Sequence, residues 1–160
     1  MRYTHYDLLQ TAYIPGETAR PTKEPLEEEG VTPVSLSAVS PHENSFFLFA
    51  VDLFNHHYFW EAHEAWETIW HLEKAPELRN LIQGLIQLSG SYLKIIQGNE
   101  RGTRTLWKKC YPRLSRELLE ETGVKAEQFL QNIETDDGVR PLELEKLFSF
   151  ITLSHISPLL

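Results

Sequence analysis

The stretch YFWEAHEAWETIWH, residues 58–71, decides the fold class and holds the most informative side chains of the chain. A helix turns by about 100° per residue, so this stretch separates into two sides. One side is apolar and predicts a core face; it carries Phe59, Ala62, Ala65, Trp66, Ile69 and Leu72. The other side carries His63, Glu64, Glu67 and His71, with Trp60 among them and Trp70 at their edge. Because Trp buries a large area when it can, we expect this polar side to be covered in part, with Glu61 as a more exposed neighbour.

Helical patterns also flank this stretch. Residues 45–54, SFFLFAVDLF, predict a short apolar helix that ends at Asn55-His56-His57, since Asn tolerates the left-handed conformation of a helix end. A longer helix is expected from Pro76, which suits a first turn, to about Gln97, before Gly98-Asn99.

The remaining helical segments lie closer to the C-terminus. One is predicted from about Glu100 to Thr122, with an interruption near Pro112 and an end at Gly123. Shorter apolar segments follow at 124–133 and 141–153. No run alternates with a period of two between turns, so no strand is predicted. The expected fold is all-α, a multihelical, bundle-like single domain with an extended N-terminal arm.

The N-terminal part differs in composition from the rest. Five of the nine prolines fall in residues 15–41, with Glu27, Glu28 and Glu29 between them. Proline-rich sequence rarely forms core helices or central strands. We therefore predict a proline-rich arm at residues 1–41 and a helical domain at residues 42–160, and the arm is where we expect homo-oligomerisation.

Composition and charge exclude several classes of protein. The formal net charge of −8 argues against nucleic acid or an anionic membrane as a partner. Cys110 is the single cysteine, which excludes an internal disulfide and a multi-cysteine zinc site. No apolar run reaches about 18 residues, and the N-terminus lacks a signal-peptide pattern. We therefore expect a cytoplasmic protein.

The helix predicted from Pro76 has a polar side of its own. It carries Gln83, Gln87, Gly90 and Lys94, with Gly84 and Ser91 beside them. Small residues let another backbone approach closely, and the glutamines offer both donors and acceptors. We predict that Gln87, and less directly Gln83, hydrogen-bonds His63, Glu64 or Glu67 across a helix–helix contact.

Three motifs occur in order: F-N-x-x-x-F-W-E-A-H-E-x-x-E-x-x-W (54–70), L-I-Q-G-L-I-Q (81–87) and G-N-x-x-G (98–102). Together they resemble the Domain of Unknown Function 309 family, whose hallmark is a helix with HExxExxW, here His63, Glu64, Glu67 and Trp70. The resemblance covers roughly residues 46–120. It implies a small all-helical domain found in bacterial and plastid-related proteins, and so a plastid stroma location if the source is a plant. Members are sometimes labelled predicted metal-dependent hydrolases, but the name carries no established reaction.

A metal site is one hypothesis for the HExxE helix. His63 and Glu67 are four residues apart on one helical face, as ligands must be. A catalytic zinc needs a third protein ligand, for which His71 is the nearest candidate and His56 or His57 the next, and Glu64 is the candidate general base. No second His-bearing motif follows, so the sequence favours a site without a divalent metal.

The leading interpretation is therefore a cytoplasmic helical protein with a polar inter-helix site that orders the bundle or binds a small-molecule ligand. The residues assigned to this site are His63, Glu64, Glu67, Trp70, Gln83 and Gln87. A metal-dependent hydrolase is the first alternative, and a protein assembly module is the second. The sequence does not decide whether the chain is an enzyme.

One segment is strongly basic. Arg101 to Arg116 contains six basic residues and no acid, so with a net charge of −8 the remainder of the chain carries −14. Arg101, Arg104 and Lys108 share one helical face. The segment predicts either an anion or RNA-phosphate contact, or a solvated face that pairs with acids such as Glu27, Glu28 and Glu29; the sequence favours the second interpretation.

Overall fold

The computed structural model describes residues 2–22, 30–136 and 151–159. These residues contain six α-helices, and their only β pairing consists of isolated bridges. The helices are α1 (Ser45–Asn55), α2 (Phe59–Leu72), α3 (Pro76–Ile96), α4 (Glu100–Cys110), α5 (Arg116–Glu121) and α6 (Ala126–Asp136), with a 3-10 turn at Tyr111–Arg113. The predicted all-α, multihelical class is confirmed. Most of the apolar segment predicted at 141–153 lies outside the described residues.

Local signals set several of the helix ends. Pro76 occupies the first turn of α3, where its missing N–H costs nothing. Gly98 and Gly123 have φ values of 70° and 85°, which end their helices without the strain that a Cβ would add. Around Pro112 the helix predicted from Glu100 divides into α4, the 3-10 turn and α5.

Two details at the ends of α1 and α2 were predicted wrongly. Asn55 stays helical and buried, and the left-handed φ of 65° falls on His57. The Asn55 side chain instead makes two hydrogen bonds to the backbone of Ile151. Its Nδ2 donates to the Ile151 carbonyl at 2.9 Å, and its Oδ1 accepts from the Ile151 N–H at 2.7 Å. Leu72, predicted to face the core, is 42% exposed because it lies at the last position of α2.

The core forms where α1, α2 and α3 meet. Trp66 of α2 is fully buried and packs edge-on against Phe47 of α1, with ring centres 5.5 Å apart. Tyr92 of α3 stacks on Phe59 at 5.0 Å. Large aromatic rings dominate the apolar area removed from water, so these pairs fix the relative positions of the first three helices.

Helix α3 packs against α4 through its small residues. A Cβ on Gly84 would lie 2.9 Å from the Cβ of Arg113, and a Cβ on Gly90 would lie 3.2 Å from Leu106 Cδ1. The Ser91 hydroxyl donates to the Thr103 carbonyl at 3.0 Å. The close approach predicted from these residues is therefore made to α4 and the turn that follows it.

The N-terminal residues are held on the helices by three buried carboxylates: Asp52, Glu61 and Glu73. Each is at most 1% exposed. Asp52 accepts hydrogen bonds from the backbone N–H groups of Tyr3 and Thr4. Glu61 accepts one from Tyr13, and Glu73 accepts one from Ser37. The four distances lie between 2.6 and 3.1 Å. An extended segment has N–H groups without helical partners, and an ionised carboxylate is a strong acceptor for them. These bonds dock the described parts of the arm at three places.

None of the helices in the described ranges is both long and apolar enough to cross a membrane.

Candidate functional site

His63, Glu64 and Glu67 on α2 form a compact group, which we call the histidine–carboxylate cluster. Each contributes one potential ligand atom, and the three atoms lie within 4.8 Å of one another. All three side chains are half-buried. They come from little more than one turn of a single helix, so α2 carries all three potential ligand atoms.

Burial gives His63 the character of a neutral ligand. It lowers the pKa of the imidazole, although the negative charge of Glu67 acts in the opposite direction. Its Nδ1 is buried and has no hydrogen-bond partner in the described part of the chain. A buried nitrogen left in this state costs about 1–3 kcal/mol, which a ligand at that atom would recover.

The negative charge of Glu67 opposes the ionisation of Glu64. Burial raises the pKa of Glu64, the charge of Glu67 raises it further, and the charge of Arg20 lowers it. Arg20 belongs to the arm, and its guanidinium carbon lies 5.5 Å from the centre of the Trp60 ring. A cation bound between the carboxylates would relieve their repulsion.

The histidines predicted as further metal ligands lie outside the cluster. His71 Nε2 is 4.0 Å from Glu67 Oε1, but the His71 side chain is 63% exposed and is not part of the three-atom group. His57 stacks on Phe59 at 5.4 Å, and His56 is exposed. Glu64 occupies the third position in the group that we had assigned to His71.

The relative exposure of two glutamates is the reverse of the prediction. Glu61 is 1% exposed and its Oε1 accepts from the Tyr13 N–H at 2.7 Å. The Glu67 side chain is 45% exposed. The reason is the arm: Tyr13 packs edge-on against Trp60 at 4.8 Å, which covers the side of α2 that carries Glu61.

Contacts with Arg79 hold Trp70 in place at the C-terminal end of α2. The guanidinium carbon of Arg79 lies 3.6 Å from the Trp70 ring centre, and Arg79 Nη1 donates to the carbonyls of Trp70 and Glu73. This cation–π contact and the two bonds hold the end of α2 against the start of α3. Trp70 Nε1 is buried without a hydrogen-bond partner among the described residues.

The predicted hydrogen bond from α3 is not present. Neither Gln83 nor Gln87 bonds the histidine–carboxylate cluster within the described ranges, and Gln87 Oε1 is buried without a partner. The small residues on the same side of α3 contact α4 and the turn that follows it. A ligand-binding role for the glutamines stays a prediction.

Two cations near the site were missed in the sequence. Arg20 approaches α2 from 40 positions earlier, and no periodic pattern connects it to Trp60. Arg79 follows Trp70 by nine residues across a loop, so helical spacing does not connect them either. Both contacts arise from tertiary packing.

The fold and the cluster define an all-α protein with a histidine and two carboxylates grouped on its second helix. Residues 47–106, which carry that helix, match the model of a family described as Domain of unknown function (DUF309). The match covers 60 of the 160 residues, and it confirms the resemblance inferred from the three motifs. The chain matches none of the curated proteins and none of the solved structures with which it was compared. The family description assigns no activity, so the function must be argued from the site.

Proposed function

We propose that the histidine–carboxylate cluster binds a divalent first-row metal ion. The observation that carries this proposal is the convergence of one ligand atom each from His63, Glu64 and Glu67 within 4.8 Å. The sequence alone favoured a site without metal because no second His-bearing motif follows the helix, and His71 was the nearest candidate for a third ligand. The position of Glu64, together with the unpaired Nδ1 of His63, reverses that preference.

The donor set fits such an ion. One imidazole nitrogen and two carboxylate oxygens suit zinc, iron or manganese, and zinc sites that perform catalysis commonly have three protein ligands with a further position for water. Burial lowers the pKa of His63, which favours the neutral imidazole that a metal ion requires. Half-burial of all three side chains leaves access from solvent.

Calorimetric titration of protein purified without an affinity tag tests the proposal. We expect Zn²⁺ or Mn²⁺ to bind at one site per chain, and His63→Ala and Glu67→Gln to weaken that binding at least tenfold. His71→Ala is the matched control, because this exposed histidine lies on the same helix but outside the cluster. It should leave the affinity within about twofold.

Two results would count against a metal site. One is the absence of stoichiometric binding in the wild-type protein; the other is equal loss of affinity in His71→Ala and His63→Ala. Either would return the cluster to the role that the sequence favoured, a polar group that orders the helices or holds a small organic ligand.

Metal-dependent hydrolysis is a second candidate, which the raised pKa of Glu64 favours because a general base works best with a pKa near the working pH. Glu64→Gln separates the two roles of this residue. If Glu64 is a general base, its replacement would abolish metal-stimulated hydrolysis of an activated ester and leave the metal affinity unchanged. If Glu64 is a ligand, its replacement would weaken the metal affinity. Wild-type protein that binds metal without stimulated hydrolysis would remove this candidate.

The other interpretations from the sequence stay predictions. They are a small-molecule ligand at the same site, assembly through the arm, the boundary between residues 41 and 42, and a cytoplasmic or plastid location.

A further inference from the structure

One face of α4 carries cations that the proposed metal site does not use. The side chains of Arg101, Arg104 and Lys108 are exposed. Within the described ranges none of the three makes an ion pair or a side-chain hydrogen bond. The sequence favoured pairing with acids such as Glu27, Glu28 and Glu29, which lie outside the described residues. The described acids leave these cations unpaired.

The cations border a concavity rather than a flat surface. Its volume is about 400 Å³, and it is lined by Glu100, Arg101, Arg104, Thr105 and Lys108. Successive cations on this face are three or four residues apart, which is about 4.5–6 Å along the helix axis. This gives a row of positive groups along one side of an open groove.

Two aromatic rings continue the same surface beyond the cations. Trp107 and Tyr111 lie with ring centres 5.5 Å apart, and Tyr111 is 37% exposed. At helical spacing these rings lie beside Arg104. The surface therefore combines a row of cations with an accessible aromatic face.

We propose that this face of α4 binds single-stranded nucleic acid, with its phosphates against Arg101, Arg104 and Lys108 and a base stacked on Tyr111. Grooves that bind single strands combine cations that follow the backbone with aromatic rings that stack on bases. An acidic polypeptide would use the cations but gain nothing from the ring.

The net negative charge of the chain is compatible with this proposal, but it restricts which kinds of partner can bind. Net charge governs general affinity, whereas a local row of cations acts within about 10 Å at physiological salt. The charge of −14 outside residues 101–116 disfavours a broad anionic surface such as a membrane or a wrapped duplex. A narrow strand would contact only α4 and the turn that follows it, and so would meet fewer acids than a broad surface, although Glu100 lines the groove and Glu134 accepts a hydrogen bond from the Tyr111 hydroxyl.

Fluorescence anisotropy with a labelled 15-nucleotide mixed-sequence single-stranded RNA tests the inference on the full chain. We expect saturable binding at 50 mM salt, with log K falling against log[salt] at a slope of about −2, as three phosphate contacts require. Arg104→Glu/Lys108→Glu should weaken binding at least tenfold. Tyr111→Leu should weaken it about fivefold by removing the stacking ring.

The control variant Lys74→Glu/Lys125→Glu changes the net charge equally at two exposed lysines outside this face. It should weaken binding less than threefold, and circular dichroism should show that both double variants are folded. No saturable binding at 50 mM salt, or equal losses in the two double variants, would overturn the proposal. The proposal would also be overturned if poly-glutamate competed for the site as strongly as unlabelled RNA and Tyr111→Leu had no effect. That result would identify an acidic polypeptide as the partner.

Discussion

The Arg20 guanidinium lies over the Trp60 ring, 5.5 Å from its centre, and Trp60 is one helical turn from Glu64. An arm residue therefore places a positive charge beside the proposed metal ligands. The same charge lowers the pKa of Glu64, against the effects of burial and of Glu67, which raise it. Arg20 acts as a resident counter-ion for the cluster.

Removal of that counter-ion should strengthen metal binding. A fixed cation beside the carboxylates repels an incoming divalent ion, so we expect Arg20→Gln to raise the affinity by about two- to fivefold at low salt, with less effect at high salt. Arg116→Gln on α5 is the matched control and should change nothing. Unchanged or weaker binding in Arg20→Gln would show that Arg20 does not oppose the ion.

Buried Glu61 should matter more for stability than half-exposed Glu67. Glu61→Ala leaves the Tyr13 N–H without its acceptor in a covered site, and we expect a loss of about 1–3 kcal/mol in the free energy of unfolding. Glu67→Ala should cost about 0.5 kcal/mol or less. Urea unfolding of both variants measures the difference, and equal midpoints would be inconsistent with the docked arm.

These two residues show why the helices were easier to predict than the site. Helix ends depend on local signals such as Pro76, Gly98 and Gly123, and the structure follows them. The exposure of Glu61 depends on Tyr13, which is 48 positions away and reaches α2 only through tertiary packing.

Asp52 illustrates the same limit. It is the one acid in the apolar helix α1, and it is fully buried because the distant N–H groups of Tyr3 and Thr4 satisfy it. The sequence identified His63, Glu64 and Glu67 because one helix carries all three. It could not reveal that Glu64 rather than His71 completes the group, since side-chain direction depends on what covers the helix.

Glu73 should make the free energy of unfolding depend on pH. Burial opposes its ionisation, but hydrogen bonds from Ser37, Ala75 and Lys74 outweigh burial and lower its pKa below the ordinary 4.5. A group with a depressed folded-state pKa stabilises the fold above its unfolded pKa and loses that contribution as the pH falls through the folded value.

The stability difference between wild type and Glu73→Gln should therefore be constant above about pH 5.5 and shrink below about pH 4.5. Urea unfolding at several pH values measures it. Glu77→Gln removes the same charge from an exposed position in the first turn of α3 and serves as the control. A difference for Glu73→Gln that does not change with pH would show that its hydrogen bonds do not favour the ionised form.

Cys110 should be unreactive in the folded protein. The residue has no exposed surface, and burial raises the pKa of its thiol to about 12, so almost no thiolate exists at pH 8. We expect Ellman's reagent to label it only after denaturant unfolds the chain. Labelling within minutes under native conditions would indicate that the contact between α3 and α4 opens readily.

Anomalous X-ray diffraction from crystals grown with Mn²⁺ or Zn²⁺ tests the central claim most directly. The account predicts a single strong anomalous peak at the cluster, about 2.0–2.2 Å from a His63 ring nitrogen and from a Glu67 carboxylate oxygen. Glu64 is predicted to contact the ion or its bound water. Crystals that show no peak there, or show the metal only at exposed positions such as His71, would contradict it.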